Sequence, residues 1–148
     1  MITMKGMSPI VKKVSQLISA IIFLYGIYII VHGHLTPGGG FAGGAVLSGA
    51  FIFLVLAFGT DVLNLRREEE EASVIEGLAI LIFVLMATIG LFIGIRVFFN
   101  NYLPKGQIGE LISAGVIPLY NIAVGIEVGA ALFTIFLALV IYKEEISK

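Results

Sequence analysis

The chain has 148 residues, of which 59% are hydrophobic and only 13% charged. Its mean hydropathy is +1.08, more apolar surface than a soluble domain of this size can hide. A formal net charge of −1 argues against nucleic acid as a partner, and the absence of cysteine excludes disulfides, iron–sulfur ligation and thiolate zinc sites.

The apolar residues fall in blocks long enough to cross a bilayer, which takes about 20 residues. Taken in order, the sequence predicts one membrane domain over residues 1–148, all-α, with transmembrane helices at about 11–31, 37–58, 74–99 and 119–142. The first block follows Lys5, Lys12 and Lys13 but is too long for a signal peptide and has no convincing cleavage site, so it is expected to remain in the protein. Residues 61–72, with Arg66, Arg67 and the run Glu68–Glu71, read as a polar loop. The connection over residues 100–118 carries Pro104, Lys105, Gly106 and Glu110. Lys5, Lys12, Lys13, Arg66, Arg67, Lys143 and Lys148 would share one side of the membrane, against Arg96 and Lys105 on the other. Basic residues favour the cytoplasm, so both termini are expected there, in a multi-pass protein of the cell (cytoplasmic) membrane.

The stretch His32–Gly49 holds both histidines and seven of the 18 glycines. Thr36 is the expected N-cap of the second helix and Pro37 its first residue, where the missing N–H costs nothing. Gly40, Gly44 and Ser48 then recur every four residues, with Gly39 and Gly43 beside them, and give a face almost without side chains. In hydrocarbon such a face admits another helix at close range. Each glycine weakens the helix by about 1 kcal/mol relative to alanine, so something has to pack there, and a helix of a neighbouring subunit is the expected occupant. Asn121, Gly125 and Gly129 repeat the spacing on the fourth helix, and Gly90 and Gly94 on the third.

Ionisable residues inside apolar segments mark candidate ion routes. Glu127 lies about eight residues into the fourth helix; it is either a pathway carboxylate or the partner of Arg96. Glu76 reads as a charge at the first turn of the third helix, where it favours the dipole. Arg96, near a helix end, is free to snorkel to the interface. His34 is a candidate proton carrier, with His32 the weaker one, and the amide of Asn121 needs a partner or water at its depth. No cofactor and no metal is expected: two histidines in one turn do not ligate a haem, and no carboxylate or cysteine completes a metal site. Gly38, Gly40 and Gly43 match G-x-G-x-x-G only because the run is glycine-rich, with no strand before it and no P-loop lysine after it. A serine–histidine–acid set is lacking as well, so the chain is expected to be non-catalytic.

With these residues in view, the chain resembles the B subunit of Mrp-type multisubunit sodium/proton antiporters, the MrpB or MnhB family. The run Gly33-His34-Leu35-Thr36-Pro37-Gly38-Gly39-Gly40-Phe41-Ala42-Gly43-Gly44 matches the family's GH-x-x-PGGGF-x-GG element. The four-helix plan agrees over essentially the whole chain, although family members often carry an aspartate where this chain has Asn121. The resemblance implies an accessory subunit that works inside a large complex, beside other integral membrane subunits in the lipid bilayer. That complex is either a stand-alone antiporter or the Mrp-like module of a membrane-bound nickel–iron hydrogenase. Sodium ions and protons are the implied cargo, with the His34–Gly44 turn shaping or sealing their route. Pro37, Gly38, Gly39, Gly40, Phe41, Gly43, Gly44, Ser48, Gly125 and Gly129 are then expected to seat neighbouring subunits, and His34, Glu127 and Asn121 to line the ion path. The alternative is a purely structural scaffold without ion-handling groups.

Overall fold

The computed structural model describes residues 6–59, 65–93, 97–111 and 113–146. Four helices carry the fold: α1 (Pro9–Val31), α2 (Gly39–Phe58), α3 (Leu65–Phe92) and α4 (Ile117–Ile146). Each contains a segment long and apolar enough to span a membrane.

Local chemistry sets their ends. Ser8 caps α1 by accepting the N–H of Val11 at 3.4 Å, with Pro9 in the first turn. The Thr36–Pro37 pair does not do the same for α2. Gly38 and Gly39 have φ of 137° and 68°, so no helix runs on from Pro37; α2 spans Gly39–Phe58, with Gly38 as a cap that makes no side-chain hydrogen bond. The Thr36 hydroxyl points the other way and donates to the His32 carbonyl at 3.1 Å, satisfying the end of α1. The α2 helix closes on Gly59, at φ 78°, whose N–H reaches the Val55 carbonyl.

The third helix departs most from the sequence expectation. It starts at Leu65, so Arg67–Glu71 form its first turns instead of a loop. Arginine and glutamate are good helix formers, and Arg67 binds Glu71 one turn on at 2.8 Å. Glu76 consequently lies three turns inside α3, not at its start. At the other end α3 stops at Phe92, seven residues short of the expected limit. The chain then folds back: the Phe99 N–H donates to the Ala87 carbonyl at 3.1 Å. Gly90 leaves room for the return, since a Cβ there would lie 2.8 Å from the Val97 carbonyl oxygen and 3.1 Å from the Asn100 Cβ. Apolarity alone carried the expected helix through this reversal. In α4, Pro118 falls in the first turn, where its lack of an N–H is harmless, and Lys143 lies in the last.

The helices pack in the order α1, α2, α4, α3, with a lesser contact between α1 and α4; among the described residues the backbones of α2 and α3 do not pack against each other. The start of α1 lies by the end of α2, where the Met7 N–H donates to the Ala57 carbonyl at 2.9 Å. The connections 32–38 and 97–116 meet at the opposite end, through His34 and Glu110.

Small residues make the two central seams. On α1 the buried residues are Ser15, Ser19, Gly26 and Ile30. The Ser19 hydroxyl donates to the Ala50 carbonyl at 3.1 Å, and Gly26 lets Leu47 and the Gly43 backbone come close. Between α2 and α4, a Cβ on Gly44 would stand 2.5 Å from the Gly125 carbonyl oxygen and 2.9 Å from the Val128 Cβ. A Cβ on Gly40 would strike the Asn121 carbonyl oxygen, and Gly125 in turn receives Ile30. The glycine face of α2 is therefore filled from within the chain, correcting the expectation that a foreign helix occupies it. Spacing reveals a smooth face but not which helix meets it, and the matching small face on α4 was near enough to take the place. Val55 and the fully buried Leu137 close the far end of this seam, with Phe133, Phe136, Val140 and Ile141 around them.

Candidate functional site

The signature turn is built by its own backbone. The N–H groups of Leu35 and Thr36 both donate to the His32 carbonyl, at 2.8 and 2.9 Å. His32 is absorbed by α1: its Nδ1 lies 3.0 Å from the Tyr28 carbonyl oxygen and its ring stacks on Tyr28 at 4.1 Å. Its role is to close the helix. His34 is placed differently. Its Nε2 lies 3.4 Å from the Glu110 carbonyl oxygen, which ties the turn to the α3–α4 connection, while its Nδ1 is buried without a hydrogen-bond partner.

Asn121, at the start of α4, sits beneath the turn. A Cβ on Gly33 would come 2.9 Å from its Nδ2, and one on Gly39 would come 3.5 Å from its Oδ1. The amide thus fills the space those two glycines leave, and its Nδ2 is buried without a partner. The hydroxyl of Tyr120 is a third such atom. The Tyr120 ring packs on Phe83 of α3 and on Phe99 of the returning chain, at 5.2 and 5.5 Å between centroids. Among the described residues these three buried polar atoms near the start of α4 have no hydrogen-bond partner, whereas most buried polar groups are paired.

The connection holding this end is itself pinned. Asn101 Oδ1 accepts the Val116 N–H at 3.1 Å, its Nδ2 donates to the Ala114 carbonyl at 3.4 Å, and the Ser113 hydroxyl donates to the Glu110 carbonyl at 2.6 Å. Asn101, Tyr120 and the Glu110 carbonyl were not singled out from the sequence. The tyrosine's only signal was its place beside Asn121, and the other two act through contacts distant along the chain.

The remaining candidates are dispersed. Gly40, Gly43, Gly44, Ser48 and Gly125 are buried in the two seams, and Gly129 is partly buried there. The Ser48 hydroxyl is buried without a partner. Pro37 and Gly38 are exposed, and Phe41 turns outward with 67% of its surface accessible. Glu127 is partly buried, four residues after Ala123 and seven after Tyr120, on the stripe of α4 that meets α3. It has no hydrogen bond or ion pair with another described residue. Arg96 and Gly94 lie outside the described residues, and with them the Arg96–Glu127 pair and the Gly90–Gly94 spacing. His34 and Asn121 are brought to one end; Glu127 is about two turns further along α4 and joins no contact with His34.

Gly38 gives a local test of the turn. At φ 137° a side chain is strained, and a Cβ there would also lie 3.1 Å from the Ile29 Cγ2. Gly38→Ala should lower stability by about 1–3 kcal/mol, read as a lower melting temperature of the detergent-solubilised protein, whereas Gly77→Ala, with open space at its Cβ, should not.

Comparison with known proteins identifies this architecture. Residues 10–134 match a family model described as a domain related to the MnhB subunit of Na+/H+ antiporter. A putative antiporter subunit mnhB2 of Staphylococcus haemolyticus is 31% identical over 139 residues, which cover 92% of this chain and 96% of that protein. An uncharacterized protein of Methanocaldococcus jannaschii is 38% identical over 143 residues, covering 90% of this chain but 53% of that one. Among solved structures, a chain of the membrane-bound sulfane sulfur reductase, an archaeal respiratory membrane complex, superimposes with a TM-score of 0.74 at 37% identity. That match covers 90% of this chain and 58% of the other, so this chain spans little more than half the length of these two relatives. Four spans, the signature turn and a match running from α1 into α4 agree: the chain is a multi-pass membrane protein and belongs to the MnhB family.

Proposed function

We propose that the chain is an accessory subunit of a multisubunit sodium/proton exchange module in the cell membrane, with both termini cytoplasmic, and that it contributes groups to ion translocation beside other integral subunits. The observation that carries this reading is at the signature turn, where the buried His34 Nδ1 and, beneath the turn, the buried Asn121 Nδ2 have no hydrogen-bond partner among the described residues. Such atoms fit a wet path or a polar neighbour, and an imidazole has two ring nitrogens through which to donate and accept hydrogen bonds. Only 17–33% of the residues in each span are buried within the chain, which leaves faces for lipid and for neighbouring subunits. The Staphylococcus relative, named for an antiporter subunit, supports the exchange module. The sulfane sulfur reductase match supports an attached redox module as its setting.

The scaffold reading is favoured by one observation, the distance of Glu127 from the His34 end. Two substitutions separate the readings in the purified complex reconstituted in vesicles. His34→Ala should leave the subunit complement intact and slow sodium-dependent proton exchange by about tenfold or more. Glu127→Gln should likewise assemble and weaken sodium coupling. Full exchange in both variants would leave only the scaffold.

A further inference from the structure

Because α2 and α3 do not meet, the space between them is open, with α4 as its floor and α1 on its flank. It is a groove of about 990 Å³ whose walls are almost wholly apolar, among them Phe23, Phe51, Leu54, Ala130 and Phe133. On α2 it runs from Phe58 back to Leu47. At 1.5 Å per residue that is about 16 Å, close to half of a hydrocarbon core about 30 Å thick. Past Ile126 a smaller depression of about 300 Å³ continues between α3 and α4, sharing Ile75 and Ile126 with the groove. The slot walled by all four helices therefore reaches about half way through the core from its polar end, a depth that the acyl chains of one leaflet fill, and the α3–α4 depression carries on from it.

Its mouth lies at the polar boundary and carries both signs of charge. Glu68 and Glu71 line it, together with Gln16. Arg67 holds Glu71 at 2.8 Å, and the Lys12 ammonium lies 5.5 Å above the ring of Phe58, itself a groove residue. We propose that this groove is a binding site for one phospholipid with a zwitterionic, amine-bearing headgroup, whose acyl chains fill the gap between α2 and α3. Lys12 and Arg67 face its phosphate; Glu68 and Glu71 face its ammonium. A headgroup with net negative charge meets the two carboxylates without an amine to offset them. The lipid stands where helix–helix contact is missing and ties α3 to the rest of the chain.

The test uses the intact complex in liposomes of equal parts phosphatidylethanolamine and phosphatidylglycerol, with either lipid supplied in trace as an acyl-diazirine analogue. After irradiation, adducts are mapped by mass spectrometry. The ethanolamine analogue should label the peptides holding Phe51 and Phe133 about tenfold more than the outward residues Leu17 and Ile21 of α1, and about tenfold more than the glycerol analogue does. Ala130→Trp, which fills the slot, should cut that labelling by about tenfold with the subunit complement unchanged. Where that variant does not assemble, Ala20→Phe serves from the opposite wall. Labelling no greater in the groove than on the α1 face, or equal labelling by the two headgroups, overturns the assignment. So does a benzoylphenylalanine placed at Phe133 that crosslinks to a polypeptide.

Discussion

Gly44→Leu is expected to leave no assembled complex in the membrane. An added Cβ would stand 2.5 Å from the Gly125 carbonyl oxygen and 3.0 Å from the Gly129 nitrogen, so the obstruction is backbone and cannot rotate away. Only separation of α2 from α4 relieves it, and every contact along that seam is lost together. Even Gly44→Ala should cost about 1–3 kcal/mol, a large share of a total stability of about 5–15 kcal/mol. The control lies on the same helix: a Cβ on Gly49 meets nothing within 4 Å. Gly49→Ala should be neutral or add up to about 1 kcal/mol through helix propensity. Melting temperature and co-fractionation with other subunits read both; a Gly44→Ala protein as stable as Gly49→Ala would mean that α2 and α4 do not approach so closely.

The next largest effect is expected at Asn101. Val116 is 1% exposed, and its N–H is satisfied by the Asn101 carboxamide at 3.1 Å. Asn101→Ala strands that donor away from water and removes the tie to the Ala114 carbonyl. The cost should be about 1–3 kcal/mol, seen as a lower melting temperature and faster proteolytic cleavage within residues 97–116. Asn101→Asp keeps an acceptor for Val116 and loses only the donated bond, so it should be the milder change. Equal losses in the two variants would show that the Val116 bond is not what holds the connection.

How far the molecule could be read from its residues depended on the range of the forces involved. Four spans were legible because about 20 consecutive apolar residues have few alternatives in water or lipid. Their ends were not, because local bonds set them: Arg67 to Glu71 extends α3 outward, and the return at Phe99 shortens it. The small faces at Gly40, Gly44, Gly125 and Gly129 were visible in the spacing, yet their mutual pairing joins residues some 80 positions apart and was assigned to a foreign helix instead. Of the candidate site, His34 and Asn121 were identified by type and depth. That Asn121 lies beneath the turn carrying His34 depended on Gly33 and Gly39 leaving space for an amide, a matter of shape rather than pattern. Tyr120 gave no signal beyond its place beside Asn121, and Asn101 gave none, since a polar residue in a connection is ordinary.

The single seam that holds α3 governs how the chain is made. Among the described residues, the helix that α3 packs against is α4, the last to be synthesised. As the ribosome delivers the chain, α1 and α2 can close on each other at once, while α3 enters the bilayer without a partner and waits for the final span. Translation stopped at Asn100 should therefore yield a stable hairpin trailing an unanchored helix, an early target for membrane quality-control proteases.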